Sequence, residues 1–124
     1  MLTDTKHSPY AKVHGIPYDS ITLKPGFWKD CLDMCADSTV YQIQRLFESE
    51  EISHVVENFR ICAGEARGRH RGTPFGDGDF YKWMESALYC GYYKKDEKLL
   101  RQVEEYVQLI ARAQRPDGYL STKQ

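Results

Sequence analysis

A short join confines this chain more than any other feature. Two segments of similar length, one running through Phe80, Trp83 or Met84, Ala87 and Gly91, the other through Leu99, Leu100, Val103, Tyr106, Val107 and Ile110, carry apolar residues every three to four positions. Only a few residues around Lys94 and Lys95 separate them. The spacing gives amphipathic helices, and so short a join leaves them to pair as an antiparallel hairpin. Small residues in the first helix mark where a neighbour comes close. Asp96 is placed to cap the second, and Pro116 and Gly118 stop it. The start of one helix and the end of the other therefore lie together. "FGDGD" (75–79) and "QRPDGYL" (114–120) become neighbours, a mouth carrying Asp77, Asp79, Gln114, Asp117 and Tyr119.

Upstream, Phe27, Cys31, Met34, Cys35, Ile43, Leu46 and Phe47 follow helical spacing to about Glu48, interrupted by "ADST" at 36–39. A shorter helix is expected from Glu51 to Ala63, with Ile52, Val55, Val56, Phe59 and Cys62 as its stripe. Residues 1–26 hold Pro9, Gly15, Pro17, Pro25 and Gly26 with little periodicity, which reads as an irregular arm strapped across something else. Val13, Ile16, Ile21 and Leu23 could pair there as a short strand. The fold class is all-α, with residues 1–26 an arm and 27–124 the helical body.

Composition limits the partners. At 124 residues the chain is one domain's worth. Seventeen basic residues against eighteen acidic ones give a formal charge of -1, so no whole-chain field favours nucleic acid or an anionic membrane. No stretch approaches the ~18 consecutive apolar residues of a membrane span, and the first thirty residues hold no signal-peptide core, so a cytoplasmic chain is expected. Cys31, Cys35, Cys62 and Cys90 lack paired CxxC spacing and sit in apolar patterns, the signature of reduced core thiols.

Several sharper readings of the motifs fail on spacing. "DGDFYKWMESAL" has acids at the first and third positions of a calcium loop but no central glycine, and Leu88 stands where the bidentate glutamate belongs. Asp77 and Asp79 come from one segment, whereas a glycosidase acid pair must flank the scissile bond. At a helix start they suit capping and the helix dipole. Arg67, Arg69, His70 and Arg71 could meet a phosphate or a sugar acid, although a solvated loop is the stronger reading of them. His54, Cys62 and His70 have no zinc spacing. "QRPDGYL" reads either as a turn closing a helix or as a sugar-stacking loop.

Four ordered segments carry a resemblance: "GFWKDCLD" (26–33), "ENFRICAGEARGRHRG" (57–72), "FGDGDFYKWMESALY" (75–89) and "IARAQRPDGYLST" (110–122). Together they resemble the N-terminal part of glycoside hydrolase family 127, the β-L-arabinofuranosidases, with family 146 a close relative. The family pattern F-x-D-S-D-V-Y-K-W-[LM]-E-A-x-x-Y is matched at Phe75, Asp77, Asp79, Tyr81, Lys82, Trp83, Glu85 and Tyr89. Ala113, Gln114, Asp117, Gly118, Tyr119, Leu120 and Thr122 match A-Q-x-x-D-G-Y-L-[ND]-T. Gly78 and Phe80 depart from the family's serine and valine.

The resemblance implies the N-terminal helical hairpins of an (α/α)6 barrel, truncated on its C-terminal side, since members are several times longer. It also implies a retaining glycosidase acting on β-L-arabinofuranosides or related plant-glycan sugars. In that family a zinc-held cysteine thiolate attacks the anomeric carbon and a glutamate serves as acid and base. No position from 1 to 124 matches those groups, so no catalytic or metal residue is assigned here; zinc is expected only in the full-length family. Asp77, Asp79, Lys82, Trp83, Asp117 and Tyr119 are the candidates for binding substrate or framing its site. The expected partner is a carbohydrate met through the full-length protein, with self-association of the shorter chain. A stand-alone helical interaction module and the start of a different (α/α)6 lyase or hydrolase, the latter hinted at by the arginine loop, are the competing readings.

Overall fold

The computed structural model describes residues 5–16 and 20–124, and among these every regular element is helical. In chain order they are α1 (Phe27–Met34), a π-helical turn (Cys35–Thr39), α2 (Val40–Glu48), α3 (Val55–Cys62), α4 (Gly76–Lys94) and α5 (Glu97–Ala113). No strand forms in the described part of the arm. Val13, Ile16 and Ile21 stand exposed there, and Pro17 lies outside the described residues.

The interruption expected at 36–39 is a π-turn and not a break. The Val40 N–H donates to the Cys35 carbonyl five residues back, and the helix continues on either side. Short polar side chains compete with the backbone ladder at such a place, and the Thr39 hydroxyl donates to the Met34 carbonyl at 3.5 Å. The extra residue turns Cys35 outward, so one of the four expected core thiols is exposed. Cys90 is buried, Cys31 and Cys62 are half-buried, and all four are free.

α3 starts later than its apolar stripe suggests. Ser49 Oγ accepts the N–H groups of Glu51 and Ile52 at 3.3 and 3.2 Å, closing a turn, and His54 takes a left-handed conformation with φ 61°. Ile52 is thereby thrown outward, 67% exposed, while Val55, Val56 and Phe59 enter the core.

α4 and α5 form the antiparallel hairpin that the short join demands. Asp96 caps α5 by accepting the Leu99 N–H at 3.0 Å. At the crossing, a Cβ on Gly91 would meet the Leu100 side chain at 2.7 Å, so a glycine there lets the two helices touch. Gly76 plays the same part at the start of α4, where a Cβ would lie 2.9 Å from Val55 Cγ2. The buried face of α5 is Leu99, Val103, Tyr106, Leu109 and Ala113. It is rotated from the sequence stripe and leaves Val107 43% exposed, because α5 packs against α3 as well as α4.

An aromatic cluster fills the centre. Phe80 stacks on Trp83 with centroids 5.6 Å apart, Tyr106 meets both edge-on, and Phe47 and Phe59 close the sides. Two polar ties fix α2 on α5. Tyr106 donates its hydroxyl to Glu48, and Tyr41 donates to Asp96. Burial pushes the Tyr106 hydroxyl well above the usual tyrosine range, and Asp96 holds that of Tyr41 at about 12.

Candidate functional site

One stripe of α4, formed by Asp79, Lys82, Trp83, Ser86 and Cys90, faces a stripe of the π-turn and α2, formed by Cys35, Thr39, Val40, Ile43 and Phe47. Between them lies an open cleft of about 400 Å³. Its floor is apolar and its polar groups come from α4 and the π-turn, the combination by which binding clefts hold and orient small ligands.

The polar side of the cleft is built by helical spacing. Asp79 Oδ1 accepts Lys82 Nζ at 3.1 Å, one turn along α4, and the two side chains are 46% and 79% exposed. A neutral, water-accessible pair of this kind offers both an acceptor and a charged donor to a hydroxyl-rich ligand. Ser86, which also lines the cleft, donates its Oγ–H to the Lys82 carbonyl at 3.0 Å and keeps its acceptor capacity. Trp83 is 5% exposed, and its indole N–H donates to the Val40 carbonyl at 2.9 Å. The Val40 carbonyl belongs to the residue that closes the π-turn. Trp83 thus fastens the two walls together while remaining almost wholly buried.

Asp77 turns elsewhere. Its Oδ2 accepts the Thr122 N–H at 2.8 Å and its Oδ1 the Thr122 hydroxyl at 2.7 Å. The residue just before α4 is Phe75, and no side chain caps that end, so neither aspartate makes the N-cap bond expected of them. Both sit in the first turn, where their charge opposes the dipole. The physical reason is geometric: Asp77 lies inside the helix, beyond reach of its own free N–H groups, and spends its carboxylate on a different segment.

Asp117 and Tyr119 lie in the turn after α5, and this turn is tied mainly to itself. Arg115 N–H donates to the Tyr119 carbonyl at 3.0 Å, Gln114 Nε2 donates to the Gly118 carbonyl at 2.8 Å, and Asp117 accepts the Tyr119 N–H at 3.0 Å. Arg115 pairs with Asp117 at 3.1 Å and lies over the Tyr119 ring at 5.8 Å. Of the two readings of "QRPDGYL", the closing turn is therefore the one these bonds describe. The turn does adjoin the start of α4, through Asp77 and Thr122, but Asp117 and Tyr119 are not among the residues lining the cleft.

The six candidates therefore divide into three places: Asp79, Lys82 and Trp83 at the cleft, Asp77 at the anchor of the C-terminal segment, and Asp117 and Tyr119 on the exposed turn. Thr39 and Ser86 line the cleft without having been singled out from the sequence. Ser86 was legible as the residue seven beyond Asp79, on the same helical face. The arginine loop remains solvated at Arg67, Arg69 and Arg71, with Asn58 bonding the Arg71 backbone in both directions at 2.8 and 3.0 Å.

Among the described residues no group of three or more His, Cys, Asp or Glu side chains could hold a metal ion, so the donor set present here does not fit a zinc centre. No described helix is long and apolar enough to cross a membrane.

Comparison with known proteins agrees with the all-helical fold. Residues 20–124 match the family model described as β-L-arabinofuranosidase, GH127 catalytic domain. A non-reducing end β-L-arabinofuranosidase of Bifidobacterium longum is 34% identical over an alignment of 119 positions, the match covering 83% of this chain and 18% of that protein. The crystal structure of a GH127 β-L-arabinofuranosidase from Geobacillus stearothermophilus superposes with a TM-score of 0.76 at 37% identity, covering 82% of this chain and 16% of that one. The all-helical architecture is consistent with helical hairpins of an (α/α)6 barrel, and the chain spans less than a fifth of the relatives it matches. With the family model matched over residues 20–124, the chain belongs to the GH127 catalytic-domain family.

Proposed function

We propose that residues 27–124 supply the first hairpins of a glycoside hydrolase catalytic domain acting on β-L-arabinofuranosides or related plant-glycan sugars. In this reading the cleft between α4 and the π-turn is part of the wall facing the sugar. The observation that supports it is the cleft itself: Asp79, Lys82 and Trp83, all carried by the segment that resembles the family pattern, share one wall of an open cavity. Asp79 accepts from sugar hydroxyls, Lys82 donates to them, and Thr39 and Ser86 add hydroxyl contacts. Asp77 acts indirectly, by holding the segment that follows the Asp117–Tyr119 turn. The bond-cleaving groups lie outside residues 1–124, and any zinc with them.

The exposed apolar side chains fit the same reading. Phe27, Trp28 and Met34 stand open along α1, and Leu46 on α2, surfaces that further hairpins of a barrel would cover. This chain by itself is expected to self-associate through them.

Titrating the isotope-labelled chain with a β-L-arabinofuranoside and following its backbone amides by NMR tests the cleft. Saturable shifts at Thr39, Asp79, Lys82 and Ser86, weakened in Asp79→Ala, are expected. Shifts confined to residues 115–119, or none at all, would move the sugar site away from the cleft.

A further inference from the structure

Two thiols face the same cleft from opposite walls. Cys35 opens the π-turn and is exposed, whereas Cys90 is buried on α4. The register of the walls places them across from one another. Phe47 packs on Phe80 with centroids 5.3 Å apart, Trp83 reaches the Val40 carbonyl at 2.9 Å, and Lys94 reaches Asp33 and Asp37 at 2.8 and 3.0 Å. Positions thus fall along one wall as they rise along the other. Cys35, between Asp33 and Asp37, comes opposite Cys90, one turn before Lys94. Ala36, beside Cys35, and Ala87, one turn before Cys90, are both buried. Cys62 lies elsewhere, its thiol against the Thr122 carbonyl at 3.6 Å.

We propose that Cys35 and Cys90 are a dithiol modification site, which a low-molecular-weight disulfide converts to an intrachain bridge across the cleft. The Cys35 thiolate attacks one sulfur of the small disulfide, forming a mixed disulfide and releasing one small thiolate. Cys90 then gives its proton to solvent and attacks the Cys35 sulfur, expelling the second small thiolate. In sum the protein loses two hydrogens and the small disulfide is reduced to two thiols. Exposure assigns the roles: only Cys35 is open to an incoming molecule. Burial, together with the facing Cys35, raises the Cys90 thiol above its ordinary range, so it stays protonated until the activated sulfur is beside it. A bridge needs α-carbons within about 7 Å, a demand that only closely packed walls meet. Eleven residues of helix at ~1.5 Å each put it roughly 16 Å from Asp79, at the far end of the cleft. This site rests on wall geometry alone and stands whether or not the cleft takes a sugar.

The test is to incubate the 124-residue chain with oxidised glutathione under native conditions, alkylate the remaining thiols and map the digest by mass spectrometry. The expected product has lost two hydrogens, joins the Cys35 peptide to the Cys90 peptide and is alkylated at Cys31 and Cys62. Cys90→Ser should accumulate the glutathione adduct on Cys35. Bridging through Cys31 or Cys62, a wild-type chain that stops at the Cys35 adduct, or no reaction at Cys35 would overturn the proposal. The wild-type map decides the matter even if the variant fails to fold.

Discussion

Asp77 and Asp79 are two residues apart in one motif, yet their carboxylates meet different demands. Asp77 satisfies the backbone N–H and hydroxyl of Thr122, a residue 2% exposed, so its removal strands a buried donor. Leaving such a group unpaired costs about 1–3 kcal/mol, and Asp77→Ala should destabilise the chain by about that amount. Asp79 makes a water-exposed pair with Lys82, and pairs of this kind contribute about 0–1 kcal/mol. Asp79→Ala should therefore melt close to wild type, and on the proposed reading of the cleft it should weaken sugar binding. Chemical denaturation of the two variants checks the contrast, and equal losses would mean that Asp79 holds structure as well. The sequence shows both acids at a helix start; it does not show that Asp77 reaches 45 positions along the chain, because that bond exists only once the hairpin is closed.

At the level of elements, the π-turn is where α1 is set against the end of α4. Lys94 spans Asp33 and Asp37, Tyr93 donates to Asp33 at 3.0 Å, and Lys29 pairs with Asp33 at 2.5 Å. The Lys29 and Lys94 ammonium groups hold the Asp33 carboxyl well below the usual carboxylate range. A depressed folded-state pKa contributes stability that is fully present above the ordinary value of 3.8 and is lost as pH falls below it. Lys94 is shifted upward, chiefly by Asp33, so its share is present below 10.5 and fades as pH rises past that. Asp33→Asn should flatten both limbs of a Tm-against-pH curve, below 3.8 and above 10.5. A variant curve parallel to wild type on both limbs would show that the cluster is not coupled to folding. How much of this was legible follows from range. The α4–α5 hairpin, the Asp96 cap and the "ADST" irregularity are local and could be read from spacing and a short join. The late start of α3 depends on Ser49 capturing two amides, the burial of Leu109 in place of Val107 depends on α3 packing against α5, and the cleft depends on two stripes 40 positions apart. No local pattern encodes these.

For the molecule as a whole, the aromatic core and the helical hairpin give a framework on which an open cleft lies between α4 and the π-turn with α2. The family model is matched over residues 20–124, and the described residues supply a wall with donors and acceptors but no metal-binding cluster. A covalent glycosidase needs its nucleophile, the group that activates it and an acid/base partner in one constellation. In the proposed account this chain frames a sugar without cleaving it. The most direct measurement is to purify the 124-residue chain, assay it with a chromogenic β-L-arabinofuranoside, and measure bound zinc by native mass spectrometry on the same sample. The account predicts no turnover above a matched blank and no zinc that survives mild chelation. Turnover that persists through removal of contaminating enzymes, or one tightly held zinc per chain, would place the catalytic centre within residues 1–124 and contradict it.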